Sequence, residues 1–230
     1  TDITPVGRRW TDWWRWLKHQ AGQLERDLHA EVAAAERHHA VLAELSEWEL
    51  DQEIDRVRQA LRIARGQEDP QTRAANAEAL AVAAEAAVRT LGMSPYPVQL
   101  LAALGMARGC AIQMAAGEGK TLCVGLAAVL HGWCGRVCHV ITSNDYLAAR
   151  DVELMEPLFL RCGLTVAPAL PDVQPDEQAR VYACDVVYAT GKQLLADFLR
   201  DQILLGGASD GMRRMLWQLK AKENRRPVMR

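Results

Sequence analysis

Met114-Ala115-Ala116-Gly117-Glu118-Gly119-Lys120-Thr121 is the stretch that decides the fold, because it lies between an apolar run and a helix-forming run. In such a loop the glycines let the backbone curl so that successive N–H groups point at anionic oxygens, and the following helix adds its positive N-terminal end. Lys120 would reach the β- and γ-phosphates of a nucleotide, and Thr121 would place its hydroxyl on Mg²⁺. The stretch therefore predicts a phosphate-binding loop at a strand-to-helix junction.

The loop matches only part of the usual Gly-x-x-x-x-Gly-Lys-[Ser/Thr] pattern, because Met114 stands at the position of the first glycine. The alternative interpretation is an ordinary glycine turn that precedes a helix. The two interpretations differ in what surrounds the loop. A phosphate site is expected to require a sheet strand near residues 110–114 that leads into it, and a loop that is not buried in regular structure. If either condition fails, the functional interpretation that depends on the loop fails with it.

The chain divides into a helical part and an α/β part. Residues 1–90 are rich in Ala, Glu, Arg and Leu, which predicts helices, and Ser46-Glu47-Trp48-Glu49 has the form of a capping box for a helix that begins at Glu47. Residues 91–205 alternate short apolar runs with longer helical stretches, which is typical of helices around a parallel sheet. Residues 206–230 are predicted to be a basic connector. The expected strands lie near residues 110–114, 137–142, 164–169 and 185–189, and the expected helices near 120–130, 145–160 and 192–200.

Composition limits the classes of function. The formal net charge is -2, so no overall electrostatic attraction to nucleic acid or to an anionic membrane is expected. The six cysteines form no Cys-x-x-Cys pair, which argues against a zinc site and favours buried thiols in a reducing, cytoplasmic setting. No apolar run approaches the roughly 20 residues that a membrane-spanning helix needs. Any membrane contact is therefore expected to be peripheral.

Three segments resemble the amino-terminal part of SecA, the motor ATPase of bacterial preprotein export. Residues 91–101 are similar to the family's adenine-reading glutamine motif, and residues 140–151 are similar to its Asn-Asp-Tyr-Leu-Ala-x-Arg-Asp segment. The loop keeps methionine in place of the first glycine, which is the SecA form. The resemblance covers about residues 40–205. It implies an incomplete RecA-like α/β domain after a helical segment, ATP and Mg²⁺ as cofactors, Thr121 as the Mg²⁺ ligand, and as nucleotide-binding residues Gln99, Gly117, Glu118, Gly119, Lys120 and Thr121.

The chain also departs from the family. Gly191-Lys192-Gln193 stands where the family typically has Asn-Asn-Glu, ahead of a looser match at residues 197–201, which indicates a divergent SecA-like protein. Helicases of the same superfamily usually carry a Pro-Thr-Arg-Glu-Leu type segment where this chain has Asn144-Asp145-Tyr146-Leu147, so no specific nucleic-acid partner is expected. Asn144 and Asp145 are predicted mainly to cap the helix that follows.

Hydrolysis of ATP needs acidic residues at the end of a core strand, and the sequence predicts none in this chain. Asp185 precedes its apolar run, while Asp197, Asp201 and Asp210 fall in helical or loop contexts. The resemblance places the missing acids beyond Arg230, so we expect no catalytic residue here, weak nucleotide binding and no turnover. Glu118 is interpreted as a solvated or hydrogen-bonding side chain, not as a catalytic base.

The predicted function is that of the amino-terminal part of a SecA-like motor. The resemblance implies that the parent protein couples ATP binding and hydrolysis to the movement of unfolded preproteins through a channel in the bacterial inner membrane, working from the cytoplasm at the membrane periphery. Two alternatives stay open: a non-hydrolysing module that binds nucleotide or a partner protein, and a fragment of a helicase-type ATPase.

The amino terminus carries a tryptophan-rich helical face. Trp10, Trp13, Trp14 and Leu17 share this face, with basic residues nearby. The pattern predicts either contact of residues 8–18 with anionic lipid or packing of the face on the helical segment.

Overall fold

The computed structural model describes residues 10–64, 70–171 and 173–204. Three long helices come first, two helices flank the predicted phosphate-binding loop, and three strands then alternate with further helices. In chain order the elements are α1 (Trp10–Leu42), α2 (Glu47–Ala64), α3 (Pro70–Leu91), α4 (Pro97–Ala107), α5 (Lys120–Trp133), β1 (Cys138–Thr142), α6 (Asp145–Arg161), β2 (Val166–Ala169), α7 (Pro175–Val181), β3 (Val186–Thr190) and α8 (Gly191–Leu204).

The predicted helical lead-in and its capping box are confirmed. The backbone N–H of Ser46 donates to Glu49 Oε2 at 2.8 Å, and the N–H of Glu49 donates to Ser46 Oγ at 3.3 Å. These two bonds satisfy amides that have no partner inside the helix. Helix α2 accordingly begins at Glu47.

A network of charges around Arg89 holds the first three helices together. Its guanidinium donates to the Leu45 carbonyl oxygen at 2.8 Å and pairs with Glu85 at 2.7 Å and Glu47 at 3.0 Å. Arg161, at the end of α6, also pairs with Glu47, at 2.7 Å. Hydrogen bonds from Arg161 and Arg89 hold the pKa of Glu47 below its ordinary value. The network therefore joins the helical segment to a helix of the α/β part.

Helix α5 lies inside the core because it is apolar on nearly every side. Val129 and Trp133 are fully buried, and the Trp133 indole N–H donates to the Cys162 carbonyl oxygen at 2.9 Å. Gly125 allows α6 to approach closely, because a Cβ built there would lie 2.1 Å from Met155 Cε. This packing fixes the position of the loop that precedes α5.

The three strands form a parallel sheet in the order β1-β3-β2. Alternate residues of β3 point to opposite faces: Val186 and Tyr188 join the main core, which includes residues of α6, and Val187 and Ala189 join a smaller core that Leu194 of α8 covers. Helices thus cover both faces of the sheet. The predicted α/β class, with a parallel sheet flanked by helices, is confirmed, and three of the four predicted strands are present.

The predicted strand near residues 110–114 is wrong. Residues 110–115 join the end of α4 to the loop without forming a strand. Instead, the segment folds back on α4: the Cys110 N–H donates to the Gly105 carbonyl oxygen at 2.9 Å, and Ile112 Cδ1 lies 2.7 Å from where a Cβ on Gly105 would be. A strand forms where a neighbour accepts its ladder hydrogen bonds, and no strand of the described residues pairs with this segment.

Helices α4 and α7 are not predicted by the sequence. Both begin with a proline, Pro97 and Pro175, whose missing N–H and fixed φ suit the first position of a helix.

The main core contains residues of α1 as well as of β3, and the domain boundary near residue 90 stays a prediction. The prediction of buried thiols is only partly confirmed, since Cys123 and Cys162 are buried and the other four cysteines are half-buried.

Two further predictions fall outside the described residues. They concern the side chains of residues 8–18, expected to form the tryptophan-rich face, and the connector at 206–230. Among the helices of the described ranges, none combines the length and apolarity that crossing a membrane requires.

Candidate functional site

The predicted phosphate-binding loop opens directly into the first turn of α5. Gly117 and Gly119 have left-handed backbones, with φ of 86° and 75°, which glycine adopts without steric penalty. Residues 111–120 are exposed except for half-buried Met114, so the loop is not buried in regular structure. The first amides of a helix have no intrahelical partner and carry its positive end. The loop and α5 together therefore offer N–H donors to an anion.

Lys120 and Thr121 are the first two residues of α5, Lys120 exposed and Thr121 half-buried. Behind them, the Cys123 thiol donates to the Gly119 carbonyl oxygen at 3.4 Å. Burial raises the pKa of the Cys123 thiol to about 11, so the thiol stays protonated and remains a donor. The contact helps to hold Gly119 at the N-terminus of α5.

Helix α4 brings Gln99 against the loop. Its Oε1 accepts from the Tyr96 N–H at 2.9 Å, and its Nε2 donates to the Glu118 carbonyl oxygen at 2.8 Å. These two partners fix the orientation of the amide, because an N–H requires an acceptor and a carbonyl requires a donor. The side chain is only 8% exposed. Gln99 therefore contacts the loop itself, and its role toward adenine stays a prediction.

The contact between Gln99 and the loop is not predicted by the sequence. The two residues that it joins are 19 positions apart, so no local pattern reveals it. The available signal is the third position of α4, from which a glutamine reaches back to the N-terminal amide of its helix. That rule accounts for the bond to Tyr96 and not for the bond to Glu118.

The Glu118 side chain closes the loop on itself. Its Oε2 accepts a hydrogen bond from the Ala115 backbone N–H at 2.8 Å. Among the predicted nucleotide-binding residues, the structure thus brings Gln99, Glu118 and Gly119 into one cluster, and Lys120 and Thr121 follow it on α5.

Polar side chains also meet where β1 and β3 end. Asn144 Oδ1 accepts from the Leu147 N–H at 2.8 Å, which confirms Asn144 as the N-cap of α6. The Thr190 hydroxyl donates to Asp145 Oδ1 at 3.2 Å and accepts from the Gln193 N–H at 3.2 Å. These contacts tie the starts of α6 and α8 together at the carboxyl edge of the sheet.

Asp197 has a structural environment, not that of an acid that holds a metal ion. It is fully buried. Its Oδ2 accepts from Gln178 at 2.8 Å, Tyr182 at 2.9 Å and Gln193 at 2.9 Å, and its Oδ1 accepts from Arg200 at 2.6 Å. Four donors occupy the carboxylate, so Asp197 joins α7 to α8.

The chain is similar to subunits of protein translocases. Residues 13–219 match the family model of the SecA DEAD-like domain. The chain is 50% identical over 138 residues to the protein translocase subunit SecA 2 of Chlorobium chlorochromatii (strain CaD3), a match that covers 60% of this chain and 21% of that protein. It is 46% identical over 169 residues to the SecA 2 subunit of Magnetococcus marinus (strain ATCC BAA-1437 / JCM 17883 / MC-1), covering 74% and 25%. It is 38% identical over 204 residues to that of Mycobacterium sp. (strain KMS), covering 89% and 25%. The chain thus spans about a quarter of the length of these relatives.

Proposed function

Because the chain belongs to the SecA DEAD-like domain family, we propose that it is the nucleotide-binding part of a SecA-like motor ATPase. The observation that carries the proposal is the exposed loop whose two left-handed glycines, Gly117 and Gly119, lead into the N-terminus of α5. Such an arrangement presents backbone N–H groups to the phosphates of a nucleotide.

Each loop residue has a distinct role in this proposal. The Lys120 ammonium neutralises charge on the β- and γ-phosphates, and the Thr121 hydroxyl is an oxygen ligand of the kind that Mg²⁺ prefers. Magnesium, when bound, would draw charge away from the phosphate oxygens. Gln99 holds the loop through its bond to Glu118, and is proposed to read the adenine edge with the second N–H and the second oxygen lone pair of its amide.

Hydrolysis is proposed to depend on acidic groups outside the described residues. Within those residues, Asp185 lies ahead of β3, where Thr165 occupies its carboxylate at 2.8 Å, and Asp197 is buried among four donors. Neither carboxylate stands at the carboxyl end of a strand. Asp145 does follow the end of β1, but it is the first residue of α6 and its carboxylate accepts from the Thr190 hydroxyl at 3.2 Å. The chain alone is therefore expected to bind ATP and Mg²⁺ weakly and to turn over little or no ATP.

The names of the relatives support a proposal for the partners of the parent protein. Since these are protein translocase subunits, we propose that the parent moves unfolded preproteins through a channel in the inner membrane. The proposal includes a cytoplasmic protein that associates peripherally with the membrane. Residues 8–18 are the proposed contact with anionic lipid.

Binding of MgATP by wild type and two lysine variants tests the site. Lys120→Ala removes an ammonium at the start of α5, and Lys192→Ala removes another exposed ammonium, at the start of α8. Loss of a charged hydrogen bond is expected to weaken binding by Lys120→Ala by about 10-fold to 100-fold, while Lys192→Ala binds as wild type does. Equal MgATP affinities for the two variants would show that the Lys120 loop is not the nucleotide-binding site.

Turnover separates the motor from its alternatives. Steady-state ATPase activity is measured on this chain and on a version extended beyond Arg230. Activity in the longer protein alone supports the motor. Binding without turnover in either supports a non-hydrolysing module, and stimulation by RNA or DNA supports a helicase-type ATPase.

A further inference from the structure

In the hydrogen bond between Glu118 and Ala115, a carboxylate of the loop occupies a backbone N–H donor of the same loop. Glu118 Oε2 lies 2.8 Å from the Ala115 nitrogen. A backbone amide of this loop is the kind of group that the proposed site directs at phosphate oxygens. A carboxylate oxygen and a phosphate oxygen are both anionic acceptors, so each satisfies the same N–H in the same way.

The two acceptors exclude each other. One N–H cannot donate a full-strength hydrogen bond to both, and a phosphate beside the carboxylate would meet a like charge within a few ångströms. The Glu118 side chain must therefore leave Ala115 before a phosphate oxygen takes its place.

Nothing in the packing prevents the Glu118 side chain from leaving. Glu118 and Ala115 are both exposed, so neither is held by burial. The main chain of Glu118 is anchored separately, because its carbonyl oxygen accepts from the buried Gln99 side chain at 2.8 Å. The carboxylate can thus rotate away about its side-chain bonds while the loop backbone stays in place.

We infer that the Glu118 carboxylate competes with the phosphate groups of the nucleotide for the Ala115 amide. By occupying this amide, it lowers the affinity of the loop for the nucleotide. The inference rests on the proposed nucleotide site and gives Glu118, which the resemblance places among the nucleotide-binding residues, the opposite effect on affinity. Removing the carboxylate frees the donor, and replacing it by an amide keeps an acceptor but removes the charge.

The test measures the dissociation constant of MgATP by calorimetry for the wild type and three variants. Glu118→Ala is expected to bind several-fold to about tenfold more tightly, as the release of one charged hydrogen bond implies, and Glu118→Gln is expected to lie between it and the wild type. Glu153→Ala, which removes an exposed carboxylate from α6, is the matched control for net charge and is expected to bind as the wild type does.

A second measurement follows the contact itself. The Ala115 amide resonance in ¹⁵N–¹H spectra is expected to move in Glu118→Gln and Glu118→Ala and to stay in place in Glu153→Ala. In the wild type it is expected to move on saturation with MgATP. If the chemical shift of the Ala115 amide is the same in the wild type and in both Glu118 variants, the inference is overturned.

The outcomes separate the inference from the function on which it rests. Wild type that binds MgATP through Lys120, together with Glu118→Ala that binds equally or less well, overturns the competitor and leaves the nucleotide site standing. Absence of binding in the wild type and in every variant overturns the nucleotide site, and the inference with it.

Discussion

Substitution of the two loop glycines by alanine tests the geometry of the loop most directly. Both have left-handed backbones, so both pose the same difficulty for an L side chain. They differ in their surroundings: a Cβ on Gly117 meets nothing within 4 Å, whereas a Cβ on Gly119 lies 2.3 Å from Gln99 Nε2. Gly117→Ala is therefore a control for backbone strain, and Gly119→Ala adds a collision.

The expected costs follow from these two terms. The left-handed backbone costs an alanine about 1–2 kcal/mol. At Gly119 the methyl group must also displace the Gln99 amide, which is buried and bonded at both ends, adding about 1–2 kcal/mol of overpacking and lost hydrogen bonding. We expect Gly117→Ala to lower the free energy of unfolding by about 1–2 kcal/mol and Gly119→Ala by about 2–4 kcal/mol.

Urea unfolding followed by circular dichroism measures both costs, with Gln99→Ala as the second background. Removing the Gln99 amide removes the collision, so Gly119→Ala should cost no more than Gly117→Ala in that background. The double-mutant cycle should then give a coupling of about 1–2 kcal/mol between Gly119 and Gln99. Equal costs for the two glycine variants in the wild-type background, or no coupling to Gln99, would refute the packing of α4 against the loop.

Three further predictions concern the Arg89 network, the hydrogen bonds to buried Asp197 and the dependence of stability on pH. Arg89→Met should lower the free energy of unfolding by about 2–4 kcal/mol, because the buried Glu85 carboxylate loses its arginine partner and is left with His39 at 3.0 Å. Arg56→Met breaks two surface pairs, with Glu53 and Glu78, of an arginine side chain that is 54% exposed, and should cost under about 1 kcal/mol; urea unfolding compares the two variants. Gln193→Glu should lower the melting temperature at neutral pH, since it replaces a donor 2.9 Å from buried Asp197 by a second carboxylate, and the deficit should shrink as the pH falls and the new acid is protonated. Glu47 has a lowered pKa, so its stabilising contribution is complete above its ordinary pKa and is lost as the pH falls through the lowered one; the difference in melting temperature between wild type and Glu47→Gln should therefore vanish in acid, and a difference that persists there would contradict the ion pairs.

The elements that the sequence predicts correctly carry strong local signals. Helix α6 follows an asparagine that caps it, α5 is a long apolar run after a glycine, and β3 is a short apolar run between polar residues. Each of these patterns restricts the backbone whatever lies nearby. The residues 110–114 are a weaker case, because an apolar run of that length becomes a strand only when another strand pairs with it.

The candidate site also combines features that the local sequence predicts with one that depends on packing. The left-handed backbones of Gly117 and Gly119 and the place of Lys120 at the start of α5 are predictable because the motif specifies these residues locally; their roles toward a nucleotide stay predictions. The bond from Gln99 to Glu118 depends on where α4 packs relative to α5, and packing of two helices is decided by many side chains at once. Since α4 is itself not predicted, no local rule could have placed its third residue against the loop.

A strand leading into the loop is the predicted condition for a nucleotide site, and the described residues form none at 110–114, so the proposed site needs another way to fix the start of the loop. Phosphate oxygens are bound by loop amides and by the end of a helix, and neither group takes part in a sheet ladder. What a strand supplies is a fixed starting point for the loop. Here that point is supplied by Gln99, whose buried amide holds the Glu118 carbonyl, and by α5, whose packing in the core sets where the loop ends. Family membership rests on the match over residues 13–219 and holds without the strand. The glycine and Gln99 variants test whether the loop is held from α4 instead.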